Sequence, residues 1–320
     1  MESVSDKGIV CGGTYGAFGI KGAFLLADRP AFKLEEYTIE REGMPMKNYS
    51  IPQHIWRALW PALLFLAIQL VTSFAAVTVT TLAMGEDAAT GYLAENTLLF
   101  VGPSFIISLA VFLPLWRKTK KANPALNDGK PKAALIALTI VLFIAYYLLL
   151  SGFSIAFSEP ITRLFPEVEQ VAANYQGALP VQLLVMVVLA PLVEEFLVRG
   201  VILNRLSAWM PTWAAVVVSA AIFGALHMNL YQFIFLTILG SLLGWVYVRT
   251  KNLLIPILAH AVNNATNLAL QYIVEGTGIV PPAGLIAAIG LVVVVACAIL
   301  LHRMTRPEPT PEVRQLQDAG

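Results

Sequence analysis

Two adjacent carboxylates, Glu194 and Glu195, stand inside an apolar run, with Arg199 four residues further on: Glu194-Glu195-Phe196-Leu197-Val198-Arg199. Two more apolar runs carry Phe223-Gly224-Ala225-Leu226-His227 and His260-Ala261-Val262-Asn263-Asn264. A carboxylate and an imidazole inside an apolar run can each hold or pass a proton, which is general acid–base chemistry. Helix geometry divides the labour. Glu195 precedes Arg199 by four residues, the favourable order for an ion pair. Glu194 is turned about 100° from Glu195 on a helix of 3.6 residues per turn, so Arg199 need not satisfy it. A carboxylate without a cation beside it, in a low-dielectric site, is the usual form of a general base that works near neutral pH. His260 and Asn264 are again four apart and share a face, and Phe223 precedes His227 by one turn.

Each feature also has a plainer reading. Glu195 and Arg199 can be a structural ion pair alone, a single His can be a packing residue, and His260 with Asn264 can join two membrane helices. Those readings weaken jointly. The chain has four His in all. His54 and His302 lie at the ends of apolar runs, whereas His227 and His260 share one block with the only Glu-Glu pair inside a run. A transporter or channel using the same polar residues to line an ion path is the competing class, and a membrane scaffold is a third. No inverted repeat or matched pair of broken helices favours transport.

The order E-E-x-x-x-R, F-x-x-x-H, H-x-x-x-N on successive apolar runs resembles the CAAX prenyl protease and bacteriocin-processing (CPBP, Abi) family of intramembrane proteases. The stretch Arg249-Thr250-Lys251-Asn252-Leu253-Leu254-Ile255-Pro256 resembles it as well, so the likeness covers Pro180 to Tyr272. The resemblance implies a membrane endopeptidase. Glu194 would activate a water, His227 and His260 would be the two site histidines, and Asn264 would steady the oxyanion. Glu195, Arg199 and Phe223 would support them. The family cleaves near the C-termini of prenylated proteins in eukaryotes, and its bacterial members are linked to bacteriocin maturation and self-immunity. Two mechanisms stay open at this point. Without metal, Glu194 is the base, His260 with Asn264 binds the oxyanion, and His227 orients water or protonates the amine. With a divalent metal such as Zn, Glu194, His227 and His260 would form a two-His, one-carboxylate set with a position left for water. The commonest zinc-protease signal, H-E-x-x-H, is absent.

The elements that must position these groups are membrane helices. Hydrophobic residues make up 58% of the 320-residue chain and charged residues 13%, with mean hydropathy +0.72, outside the range of soluble domains. Net charge is +1, with none of the basic clustering that nucleic acid requires. The expected partners are instead the lipid bilayer and a peptide or protein substrate. Cys11 and Cys297 lie in unlike settings, so no disulfide or Cys-rich metal site is expected. A spanning helix needs about 20 mostly apolar residues. On that criterion the fold class is all-α, a polytopic bundle of about eight spans. They run over 60–84, 98–116, 133–153, 180–203, 209–228, 231–248, 253–273 and 283–302, with the catalytic core on the fourth to seventh. A short surface helix is expected within 158–176. The domain reading is a polar arm over 1–50, a transmembrane domain over 55–303 with its core at 180–272, and a disordered tail over 304–320.

Loop charge sets the orientation. Arg117, Lys118, Lys120, Lys121, Lys130 and Lys132 crowd one loop, which places it in the cytoplasm. Counting spans from there puts both termini in the cytoplasm, with the chain a multi-pass protein of a bacterial plasma membrane. It also puts Glu86, Asp87 and Glu95 outside, and His227 near the outer end of its span while Glu194 lies deeper. Glu194, His227, His260 and Asn264 are expected around one cavity between the fourth, fifth and seventh spans. A reporter fused after Lys121 is expected to read cytoplasmic and one fused at Ala88 external. Opposite readings at both sites would reverse the orientation.

Overall fold

The computed structural model describes residues 49–123, 126–130, 132–168 and 176–306. Most of the expected arm and tail therefore lies outside the described residues. What is described is helical, with no strand, as lipid demands of a chain that must satisfy its backbone hydrogen bonds internally. We number the helices α1 (Ile51–Met84), α2 (Glu86–Glu95), α3 (Thr97–Ala122), α4 (Ala133–Ala156), α5 (Ser158–Leu164), α6 (Leu179–Leu206), α7 (Thr212–Ala225), α8 (Leu230–Thr250), α9 (Leu254–Thr277) and α10 (Ala283–Met304).

Each of the eight expected spans coincides with one helix, and α5 occupies part of the stretch where a surface helix was expected. Helix α2 was not foreseen. Six helices, α1, α3, α4, α6, α8 and α10, are long and apolar enough to cross a membrane by length and composition. The two exceptions both carry site residues. Helix α9 is long but interrupted by His260, Asn263, Asn264, Asn267 and Gln271. Helix α7 has 14 residues, about 21 Å at 1.5 Å per residue, against a hydrocarbon core of about 30 Å. It starts three residues later than expected, after Pro211, and stops at Ala225. The chain turns there, with Met228 at a positive φ of 53°, and Asn229 caps α8 by accepting the Gln232 N–H at 2.9 Å. The short helix bears on the expected difference in depth between His227 and Glu194, since His227 sits at the end of a helix that stops early rather than at the end of a full span.

Helix α6 is central. Over half of its apolar window is buried, whereas α1 and α10 bury little of theirs. It is also the least regular helix, with wider π-helical turns over Leu183–Leu189 and Phe196–Leu203 on either side of Ala190–Glu195. Widened turns leave main-chain carbonyls without their usual partners, and buried carbonyls need others. Side chains supply them. Asn204 Nδ2 donates to the carbonyls of Arg199 (2.7 Å) and Gly200 (3.3 Å) and to Tyr247 Oη (2.7 Å), and Tyr247 in turn donates to Asn127 Oδ1 at 3.0 Å. At the first π segment Asn264 Nδ2 donates to the Met186 carbonyl at 2.9 Å.

Two apolar clusters flank this axis. One joins α1, α3, α6 and α7 around Phe65, Phe112, Leu197 and Phe223. The other joins α4, α8, α9 and α10 around Leu142, Phe143, Leu243 and Ile255. Helices α4 and α10 pack backbone to backbone. A Cβ on Gly290 would stand 2.7 Å from Leu149 N and 2.8 Å from Ala145 O, and one on Gly152 would stand 2.6 Å from Ala283 O. Small residues are how membrane helices approach this closely. Gly290→Val is therefore expected to lower stability by about 1–3 kcal/mol, the usual cost of overpacking. Thermal unfolding of purified protein in detergent measures it, with Gly284→Val, where nothing lies within 4 Å, as the neutral comparison.

Candidate active site

The site is organised by a charge with no exposure at all. The Arg199 side chain is fully buried, and so is that of Glu195. The i,i+4 pair expected from the sequence is present, with Arg199 Nη1 donating to Glu195 Oε1 at 2.7 Å. A second nitrogen, Nη2, donates to the Gly240 carbonyl at 2.7 Å, and the guanidinium lies 5.2 Å from the Phe223 ring centre. The Gly240 carbonyl is a partner that no side-chain motif could announce. Its helix comes close because Gly240 has no side chain: a Cβ there would stand 3.0 Å from the Ala220 Cβ and 3.2 Å from Phe223 Cδ1.

The same Glu195 oxygen also meets His260 Nδ1, at 2.9 Å. Glu195 thus ties α9 to α6 as well as holding Arg199. With Nδ1 on Glu195, the other ring nitrogen turns to Glu194, and Nε2 stands 3.7 Å from Oε2. That is too long for a direct hydrogen bond but near enough for both groups to touch one water. Glu194 and His260 are both buried.

His227 arrives from the turn after α7. Its Nδ1 stands 3.0 Å from the Phe223 carbonyl, which can only accept, so Nδ1 carries the hydrogen and Nε2 offers a lone pair. The Phe223 ring meets the rings of His227 and His260 in T-shaped contacts, with centroids 5.2 and 5.8 Å away. Phe223 thus touches Arg199, His227 and His260, a wider part than the walling of one ring read from the sequence.

Glu194, Phe223 and His227 line a cavity of about 530 Å³. Its remaining wall differs from expectation. Beyond Leu226 and Met228, which flank His227, it comes from the first two spans, through Phe65, Leu66, Gln69, Leu70 and Ser73 of α1 and Val101 and Phe105 of α3. His260 reaches Glu194 from α9 without being part of that lining, and Asn264 is engaged with Met186 of α6. The spacing of motifs could not reveal the α1 and α3 wall, because neither helix carries one. A carboxamide, Gln69, in the middle of a span whose other polar side chains are hydroxyls was the available signal.

Among the described residues, no group of three or more His, Cys, Asp or Glu is placed to hold a metal ion. His260 and His227 are each held through Nδ1, by Glu195 and by the Phe223 carbonyl, which leaves both Nε2 atoms open. No step below is routed through a metal.

Comparison with known proteins points to the same segment. Residues 176–266 match the family model of the "Type II CAAX prenyl endopeptidase Rce1-like" family. A curated relative, "Putative membrane peptidase YdiL" of Bacillus subtilis (strain 168), is 29% identical over 179 residues, covering 52% of this chain and 69% of its own. No solved structure matches the chain. The resemblance read from the three motifs is borne out by both comparisons.

Removing Arg199 should act mainly on stability, because it strands Glu195 in a low-dielectric place. Breaking a buried pair from one side costs roughly 3–5 kcal/mol. Arg199→Ala is expected to cut the yield of folded protein sharply, and Glu195→Gln with Arg199→Gln to recover much of it. A double variant as poorly expressed as the single one would mean the pairing is not what holds this site.

Proposed function

We propose, from the Rce1-like family match over 176–266 and the likeness to a membrane peptidase, that this chain is an intramembrane endopeptidase whose hydrolytic water is activated at Glu194. The observation that carries the reading is the approach of Glu194 and His260 to 3.7 Å inside the bundle, with Glu194 at the wall of the 530 Å³ cavity.

The roles follow from which atoms are already engaged. Glu194 has no cation bonded to it and borders the cavity, so it takes the proton from water and later delivers it to the leaving amine. His227, with its hydrogen on Nδ1, accepts one water hydrogen at Nε2 and aims the oxygen at the scissile carbonyl. His260 carries Glu195 behind its Nδ1. With Nδ1 held there, Nε2 is the nitrogen that faces the oxyanion and can donate to it. Asn264 gives one Nδ2 hydrogen to Met186 and has the second for the same oxyanion, next to His260. Electrostatic help of this kind is strongest where water is excluded and donors are already fixed. The substrate is a peptide or protein reached at the membrane.

Glu194→Gln keeps size and polarity but cannot act as base. Reconstituted protein carrying it is expected to lose at least about a hundredfold in cleavage rate, the usual contribution of general-base catalysis. Its thermal unfolding should match that of the wild type. A chelator is expected to leave wild-type cleavage intact, since the roles above need no metal and no group of three or more His, Cys, Asp or Glu stands together among the described residues. Full cleavage by Glu194→Gln would sink the proposal, and chelator-sensitive cleavage restored by zinc would show that the three residues gather around a metal in the working state. Ion flux into vesicles without any proteolysis would favour the transport reading.

A further inference from the structure

Helix α1 lies outside the matched segment, yet it forms one wall of the cavity at Glu194. The residues it contributes, Phe65, Leu66, Gln69, Leu70 and Ser73, recur at the spacing of one helix face. Three are apolar side chains suited to apolar side chains of a substrate. Two are polar, and of these only Gln69 is held in place. The Ser104 hydroxyl of α3, itself fully buried, bonds the carboxamide oxygen of Gln69 and also lies 2.6 Å from the Val101 carbonyl. One end of the Gln69 carboxamide is thereby fixed, and no further hydrogen bond to it is found among the described residues. The neighbouring hydroxyls of α1 behave otherwise. Thr72 and Thr78 bond back to the carbonyls of Ile68 and Phe74 on their own helix.

A peptide that enters this cavity must give up helical hydrogen bonds before its scissile bond can be attacked. Inside a bilayer each freed N–H or C=O costs several kcal/mol unless a protein group meets it. Glu194 and His227 are committed to the water. The wall opposite them is apolar except for Gln69 and Ser73. A carboxamide matches a peptide group, since it can donate or accept whichever way it is turned.

We infer that Gln69, oriented by Ser104, is a substrate-binding residue that pairs its free carboxamide end with the main chain of a peptide seated against α1. The inference rests on the peptidase reading of the site. It assigns the binding of extended backbone to a helix that carries none of the three motifs.

The probe is an equimolar mixture of fluorescein-labelled decapeptides with randomised apolar positions, added to the purified chain in detergent micelles. Binding is read by anisotropy on Glu194→Gln protein, where cleavage does not deplete the probe. Adding Gln69→Met is expected to weaken the apparent Kd about fivefold, the loss of one neutral hydrogen bond. Val71→Ala, on the exposed side of α1, should leave it unchanged. With Glu194 intact, Gln69→Met should raise KM by the same factor and leave kcat alone. Ser104→Ala keeps the carboxamide but releases it, and serves where Gln69→Met lowers the yield of folded protein. It too should raise Kd and KM. Unchanged Kd and KM in these variants overturn the inference, as does an effect on kcat alone or a Glu194→Gln protein that retains none of the mixture. Undiminished cleavage by Glu194→Gln protein overturns the catalytic reading instead and leaves the binding result standing.

Discussion

One carboxylate oxygen, Glu195 Oε1, receives both the Arg199 guanidinium and the His260 imidazole. A buried cation is costly unless its charge is met, and here Glu195 meets the charge from the same helix while a second nitrogen of Arg199 engages the Gly240 carbonyl of α8; its Nε–H has no partner among the described residues. Through that single cluster α6, α8 and α9 are held in a fixed mutual rotation. The reacting groups inherit their positions from it. His260 faces Glu194 because its other nitrogen is committed to Glu195, and Phe223 sits where it touches both imidazoles because it packs against the guanidinium. The adjacent glutamates thus serve different ends: Glu195 builds the frame, and Glu194, a third of a turn away, is left free to react.

Two irregularities make the frame compatible with a cavity. Helix α7 ends at Ala225, which sets His227 on a turn rather than along a full span. The π-helical turns of α6 bracket the glutamates, and segments of that kind are frequent at functional sites. Both features have a cost in backbone hydrogen bonding, and polar side chains offset it. Asn264 takes the Met186 carbonyl, Asn204 takes those of Arg199 and Gly200, and Asn229 caps the helix that follows the turn.

Much of this was legible in the sequence, and the boundary between what was and was not is a physical one. Spans are legible because hydrocarbon enforces length and apolarity, so every expected run coincides with a helix. The Glu195–Arg199 pair is legible because i,i+4 spacing is a local property of a helix. The meeting of Glu194 with His260 was anticipated from chemistry, since intramembrane polar groups seek one another. Three things were hidden. The shortness of α7 depends on where the chain turns, and a positive φ at Met228 leaves no compositional mark. The π segments follow from tertiary demand, since no pattern in Leu183–Leu189 distinguishes them from ordinary apolar helix. The cavity wall from α1 and α3 is set by packing between distant parts of the chain. Asn264 shows the same limit. Its spacing puts it beside His260, while its partner in the fold is the Met186 carbonyl, left without a main-chain donor where the π turn meets Pro191, which has no N–H.

The clamp at Asn204 bears on what changes of length α6 can absorb. A π-helical turn is an extra residue accommodated without lengthening the sequence's register elsewhere, so it acts as a phase shifter between the two ends of a helix. Deleting one residue within Phe196–Leu203 would let that stretch relax to ordinary α-helix. An insertion there has no such slack left to take it up and would rotate the glutamates by about 100° relative to Asn204 and everything beyond it. Asn204 is bonded at once to the carbonyls of Arg199 and Gly200, to Tyr247 and, from its Oδ1, by Asn127, so it cannot follow such a rotation. Substitutions in this stretch alter packing by degrees, but an insertion acts as a discrete angular error. The tolerance of α6 to change is therefore set less by which apolar residue stands at each position than by how many there are.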